Sequence, residues 1–439
     1  MEPRRLLLPV VLCAACHSGS GDSGAAGPPA PPDDPDSSAW VAAYREWYLV
    51  GNDLTPGQEA LSLTILPPEG AAEVVLWIDG VRAGEYPVTG SPLSIEADLG
   101  ALQAGPHTLL LAVAGQDQAF AQLPLQRSHP LYVLVTNDWD VSDNLDSWLE
   151  RQEQLYADHP AMKLTHFVGP YTFTDPEVGE ERAAYLVGWL QGLQAAHGDE
   201  IGLHIHPYCN FVETTSVPCR HAPSFAYVED ETGYTVELCS YSQEEMLVLL
   251  QRARELFEAH GLNTATSFRA GGWTAQLHTL RALEAEGFLV DTSGANWSRL
   301  EEWEGIPDAG LYEWNQENWA TVGDTSQPWY PSEDDILSSA PPTLSILEVP
   351  DNGVLVDYVD VYEIIEMFDA NWPGHAPLAQ PAVYVTGYHP VSFDAFAYIA
   401  LGGGLTYIDG FLAEDGTGPV VYETVSAMAQ VWPASQGGE

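Results

Sequence analysis

From Trp40 to Gln126 the apolar positions fall in short alternating runs: LSLTILPP, VVLWIDG, AGEYPV, LSIEADL, GPHTLLLAVAG and QAFAQLPL. Asp-Gly or Gly-Pro punctuates them every ten or so residues, which predicts a small antiparallel sandwich over 39–127. Beyond Pro130 the texture changes, and strand-like runs alternate with amphipathic helices as in a parallel βα architecture. The predicted strands are LYVLVT (131–136), KLTHFV (163–168), IGLHI (201–205), TATSF (264–268), FLVD (288–291), LSILEV (344–349) and AVYVTG (382–387). Helices are expected over 142–157 and along EERAAYLVGWLQGLQAAHG, which Gly198 ends. Ser242 to Glu245 forms a capping box before MLVLLQRARELFEAH, with Gly261 as its stop, and Thr274 is expected to cap AQLHTLRALEAE before Gly287.

Composition narrows the partners. The chain has 439 residues and is 45% hydrophobic, enough for a large catalytic domain and a smaller accessory one. Its 63 acidic and 14 basic residues give a formal charge of -49, which repels nucleic-acid phosphates and anionic membrane surfaces. Nucleic acid is therefore not an expected partner. Residues 1–16 hold two arginines, then an apolar run from Leu6 to Ala15 too short to span a bilayer, and read as an export signal. Ala14 and Ala15 before Cys16 resemble a bacterial lipoprotein signal with Cys16 as the lipidation site; plain signal cleavage is the other outcome. The expected location is then the cell envelope or the secreted fraction, with contact to a membrane only through the lipid. Residues 17–38 are Gly, Ser, Pro and Asp without apolar periodicity and read as a flexible linker, and 433–439 as a tail. In an oxidising compartment, one pair among Cys209, Cys219 and Cys239 is expected to be bridged.

The chemistry collects in one place on the βα pattern. TNDWD, HIHPY, FRAGGW, VDTSGANW and GYHP each follow a predicted strand, and in a βα barrel those strand ends share one rim. His204 and His206 point to the same side of an extended chain because side chains repeat every two residues. Asp138 and Asp140 share that spacing. Two imidazoles and a carboxylate suit an open site of the kind catalytic zinc uses, while a second carboxylate accepts a proton from water that the cation polarises. A buried Arg269 needs a carboxylate partner, for which an aspartate of TNDWD is the natural candidate. His166 and Asp351 also lie at strand ends without an evident role.

In this order the five segments resemble the motifs of the polysaccharide deacetylases, the NodB homology domain of carbohydrate esterase family 4, over 128–432, with RAGGW the most specific piece. That resemblance implies a distorted (β/α) barrel, preceded here by the sandwich, which looks immunoglobulin-like. It implies a divalent metal, usually Zn2+, and removal of acetyl groups from an N-acetylated, sometimes O-acetylated, polysaccharide. Asp138 matches the base, Arg269 the residue that orients it, and His389 the general acid. The metal ligands would be Asp140, His204 and His206, with Trp273, Asp291 and Trp297 at the substrate. The sequence departs from the family at two points. Trp139 stands where the metal-binding aspartate is usual, so Asp140 supplies the ligand or the two aspartates exchange roles; and the histidines are separated by one residue rather than three. The alternative is a catalytically degenerate barrel that binds glycan without turnover.

Overall fold

The structure is a computed structural model that describes residues 27–226, 229–303 and 310–432. The proposed signal with Cys16, residues 17–26 of the linker and the tail 433–439 lie outside the described residues.

Residues 41–128 build two sheets around one core. Strands β1 (Val41–Tyr44), β3 (Leu63–Ile65) and β6 (Leu93–Ile95) form one sheet, in the order β1-β3-β6. The other, in the order β2-β8-β7-β4-β5, is made of β2 (Trp47–Leu49), β4 (Glu73–Ile78), β5 (Val81–Pro87), β7 (Gly105–Val113) and β8 (Ala119–Ser128). Leu63 and Ile65 meet Val74, Leu76, Leu109, Leu111 and Leu123 in the shared interior, each the inward member of an alternating strand. The described end of the linker, 27–38, docks on this sandwich: Ala30 exchanges backbone hydrogen bonds with Asp117 and Ala119, and Ser37 is buried with its hydroxyl accepting from the Gln122 N–H.

Strand β8 runs almost directly into β9 (Leu131–Asp138), which is the centre of the second unit. Around it lie β10 (Leu164–Val168), β11 (Glu200–Ile205), β12 (Ser267–Ala270), β13 (Val290–Asp291), β14 (Leu347–Glu348) and β15 (Ala382–Tyr388), all parallel, in the order β14-β13-β12-β11-β10-β9-β15. An eighth strand, β16 (Val420–Tyr422), pairs with the first half of β9. It was not expected, since three residues after a glycine-rich turn show no period. The sheet curls, and the segment after β14 spans the gap between its two edges. The Asn352 side chain accepts from the Val385 N–H and donates to the Val383 carbonyl, and Leu355 forms a single parallel bridge with Gly387. The result is a curled parallel α/β half-barrel: the parallel βα architecture follows the alternation, and the curl is consistent with the distorted barrel that the resemblance implied.

The α-helices among the described residues are α1 (Asp146–Asp158), α2 (Gly179–His197), α3 (Cys209–Val212), α4 (Gln243–Ala259), α5 (Leu277–Ala285), α6 (Leu311–Asn318), α7 (Val361–Asn371), α8 (Ala395–Asp409) and α9 (Met428–Val431). Gly198 takes the left-handed conformation that ends α2, and Ser242 and Glu245 cap α4 reciprocally, as expected. Thr274 does not cap α5. Gln276 holds that position, because the Thr274 hydroxyl is used inside the preceding turn, donating to the Gly271 carbonyl and accepting from the Leu238 N–H.

Candidate active site

Alternation along the strands decides which side chains enter the barrel. On β11 the apolar Ile201, Leu203 and Ile205 pack against the helices, so His204, and His206 just beyond the strand, face inward. His204 stands level with Arg269 on the neighbouring strand. On β9, Thr136 and Asp138 are the inward pair. The chain then turns after Asp138, with the Asp140 N–H bonded to the Asp138 carbonyl, which sends the Trp139 indole outward against Trp189 and Asp140 into the site.

Asp140, His204 and His206 converge, with one ligand atom of each within 4.8 Å of the others. Nε2 of His204 lies 3.1 Å, and Nε2 of His206 3.4 Å, from Asp140 Oδ1. Both Nδ1 atoms face backbone carbonyls, of Arg269 at 2.9 Å and Tyr234 at 2.7 Å, so Nδ1 carries the proton in each ring. In the neutral rings Nε2 is then an unprotonated lone pair, and both lone pairs point at a carboxylate oxygen. A cation between the three groups relieves that arrangement, and carbonyl-anchored Nδ1 atoms are the usual support of metal-bound histidine. The donor set therefore fits a divalent metal of the zinc type. Asp140 is further held by the Tyr234 hydroxyl, which donates to Oδ2 at 2.8 Å. Burial alone raises its pKa, but the charge of His389 outweighs that and holds the carboxyl well below its usual range.

The double glycine of RAGGW is explained here. A Cβ on Gly271 would sit 2.5 Å from His206 Nδ1, and Gly272 has a φ of 59°. Arg269, fully buried, donates from Nη1 to Asp138 Oδ1 at 3.0 Å and to the Thr136 hydroxyl at 2.9 Å. Its Nη2 lies 3.4 Å from Asp351 Oδ2. Asp351, which had no role in the sequence, is thus the second anion of the guanidinium and also accepts from the Trp273 indole at 3.0 Å. Burial, only partly offset by Arg269, pushes its pKa up to about 6.

His389 enters from the other side of β9. Its Nδ1 lies 2.9 Å from Asp357 Oδ2, leaving Nε2 facing inward, 3.5 Å from Asp140 Oδ2. Burial would lower its pKa, yet Asp140 and Asp357 together raise it to about 10. A small recess of about 50 Å3 opens over these groups, walled by Phe225, Tyr234, Trp273, Leu311 and Tyr358.

Two expected substrate residues are placed elsewhere. Asp291 is fully buried behind the rim, accepting from the Ser293 hydroxyl at 2.8 Å. Trp297 packs edge-on against Tyr312 and does not line the recess. Trp273 does line it, though almost wholly buried. Cys209 and Cys219 form a disulfide, while Cys239 is a free thiol that burial pushes up to about 12. His166 is a buried link between Asn137 and Asp199 on the helix side of the sheet. Sequence reasoning missed Tyr234, Asp357 and Tyr358, which come from irregular segments with no strand-end signature.

No family model matches the chain, and no curated protein matches it. Its barrel is similar to solved structures at low identity. A protein assigned as a polysaccharide deacetylase from Mycobacterium smegmatis shares 15% identity over 69% of this chain and 89% of its own, with a TM-score of 0.40. The 4-alpha-glucanotransferase of Thermococcus litoralis shares 12% over 69% and 41%, at 0.39. A family 4 carbohydrate esterase from Streptomyces lividans, in complex with acetate, shares 12% over 69% and 96%, at 0.34. Polysaccharide deacetylases and family 4 carbohydrate esterases are thus among the solved structures this chain resembles, at similarities that leave the case for function to its own side chains.

Proposed function

We propose that the chain is a metal-dependent hydrolase that removes acetyl groups from an N-acetylated polysaccharide, the O-acetylated form being the close variant. The observation that carries this is the pair of histidine Nε2 lone pairs aimed at the Asp140 carboxylate, with a base and an acid on opposite sides of it. Asp140, His204 and His206 would hold the metal, and a divalent cation there supplies Lewis-acid polarisation of water or of an acyl oxygen. Asp138, fixed through Oδ1 by Arg269, takes up the proton of the attacking water at Oδ2. His389, held as imidazolium by Asp357, gives its Nε2 proton to the leaving amine, so that water and acetamide become acetate and amine. Trp273, Tyr234 and Tyr358, which line the recess, shield the reacting carbonyl from water.

The sandwich is read as an immunoglobulin-like accessory module, and the envelope as the location, through lipid on Cys16 or by secretion. Support for the location is the N-terminal apolar run ending in Ala-Ala-Cys; among the described residues no helix is long and apolar enough to cross a membrane. The test is metal analysis of the purified protein beside His204→Ala and His206→Ala, with acetate release from acetylated glycans. One metal per chain, lost in both variants, and acetate release are expected. A folded protein that takes up no zinc overturns the proposal; bound metal without acetate release from any glycan means a barrel that binds sugar without turnover.

A further inference from the structure

Behind the rim, on the face of the sheet away from the recess, two carboxyls meet. Asp291 and Glu348 are register partners on the adjacent parallel strands β13 and β14, and both are fully buried. Their strand neighbours Val290 and Leu347 belong to the barrel interior with Val383 and Val385, so the two acids face the other way. Register and burial set the two carboxyls side by side, and each acts on the other's titration. Asp291 Oδ2 and Glu348 Oε2 are each buried without a hydrogen-bond partner. Two ionised carboxylates side by side in a dry interior repel and have no hydrogen to share, whereas a proton on one lets an orphaned oxygen donate to the other.

The remaining oxygens hold the turn that clasps Arg269. Asp291 Oδ1 accepts from the Ser293 hydroxyl, whose oxygen accepts the Ala270 N–H at 3.0 Å. Glu348 Oε1 accepts the Gly294 N–H at 2.7 Å. Between them Thr292 offers Arg269 its carbonyl, 3.2 Å from Nε, and its hydroxyl, 3.3 Å from Nη2. We propose that Asp291 and Glu348 are a proton-sharing positioning pair that fixes the Thr292 turn, and through it aims the Arg269 guanidinium at Asp138. Arg269 on β12 is the charged group facing the pair, with Asp138 and Asp351 beyond it; the Trp329 ring, near Gly294, is uncharged. If the pair held no proton, two adjacent carboxylates would be charged in a dry interior with no cation in contact, since the Arg269 guanidinium is engaged by Asp138 and Asp351, and each uncompensated charge is costly. Burial first, and then Asp291, raise the Glu348 pKa well above its usual range, and burial raises Asp291 to about 6, which makes Glu348 the proton carrier.

The activity arm below rests on the deacetylase reading, whereas the stability and infrared arms do not. Glu348→Gln keeps a donor towards Asp291 and an acceptor for Gly294; Glu348→Ala removes both. At neutral pH, Glu348→Gln should unfold within a few degrees of wild type and Glu348→Ala roughly 5 °C lower or more. A folded-state pKa raised above the unfolded value of about 4.3 gives stability that is full below that pH and is lost as pH rises towards the folded value. The Tm of wild type relative to Glu348→Gln should therefore fall as pH rises above about 4.3. Infrared spectra of wild type near neutral pH should show a protonated-carboxyl C=O band that Glu348→Gln removes. Acetate release should fall roughly tenfold or more in Glu348→Ala and be rescued in Glu348→Gln. The proposal is overturned if the Gln variant is as unstable as the Ala variant, if its Tm runs parallel to wild type with pH, or if wild type lacks the band. Should Glu348→Ala not fold, the Gln variant and Asp291→Asn still give all three readings. Presence of the band with no acetate released by any form would refute the deacetylase and leave the pair intact.

Discussion

Removing the charge of Asp357 tests the acid side of the site. Its Oδ2 lies 2.9 Å from His389 Nδ1, and the two side chains are only 16% and 13% exposed. Two unit charges about 4 Å apart at an effective dielectric near 20 interact by ~4 kcal/mol, and 1.36 kcal/mol is about one pKa unit, so three units is an upper limit. Asparagine still accepts the Nδ1–H bond through its carbonyl, and partial exposure screens the pair, which brings the expected fall to ~1–2 units. A cation at Asp140 would cancel much of that carboxylate's pull and leave Asp357 as the main support of the imidazolium. The sign follows from the role: an acid works while protonated, so activity is lost as pH rises through the His389 pKa. In Asp357→Asn the alkaline limb of kcat/KM should move down by ~1–2 units, with kcat reduced by about 10–100-fold at high pH. Imidazole NMR titration of His389 reads the same shift without turnover. An alkaline limb and a ring titration that both stay where they are in the variant would refute the assignment of His389 as an acid supported by Asp357.

Two further outcomes follow from the buried groups. Arg269→Ala leaves Asp138 and Asp351 buried without their cation and should cost ~3–5 kcal/mol in denaturant unfolding; a loss under about 1 kcal/mol would mean the guanidinium does not neutralise them. Gly271→Ala drives a Cβ into the His206 ring and should weaken zinc affinity about 10–100-fold by chelator competition, while the far-ultraviolet circular dichroism stays native.

The seven strands of the βα series were legible because each carries a short apolar run next to Pro, Gly, Asp or Asn, and helix caps at Ser242 and Gly198 were legible from local hydrogen-bond chemistry. The two-residue period told in advance that His204 and His206 would share a side, and the strand-end positions of TNDWD, FRAGGW and GYHP that these groups would meet. Those are local properties of the chain. What it could not hold was the partner of each group. Trp139 turns outward only because the backbone folds back at Asp138, and Asp140 becomes the third donor for that reason. Asp351 and Asp357 lie 82 and 32 positions from the charges they meet, Arg269 and His389, and Tyr234 reaches Asp140 from a loop pinned near its start by the Cys209–Cys219 disulfide. Asp291 reads as a rim residue in sequence, yet the register of β13 against β14 sets it beside Glu348, behind the site. Spacing along the chain decides which way a side chain points from its own strand; only the closing of the sheet decides which charge it finds there.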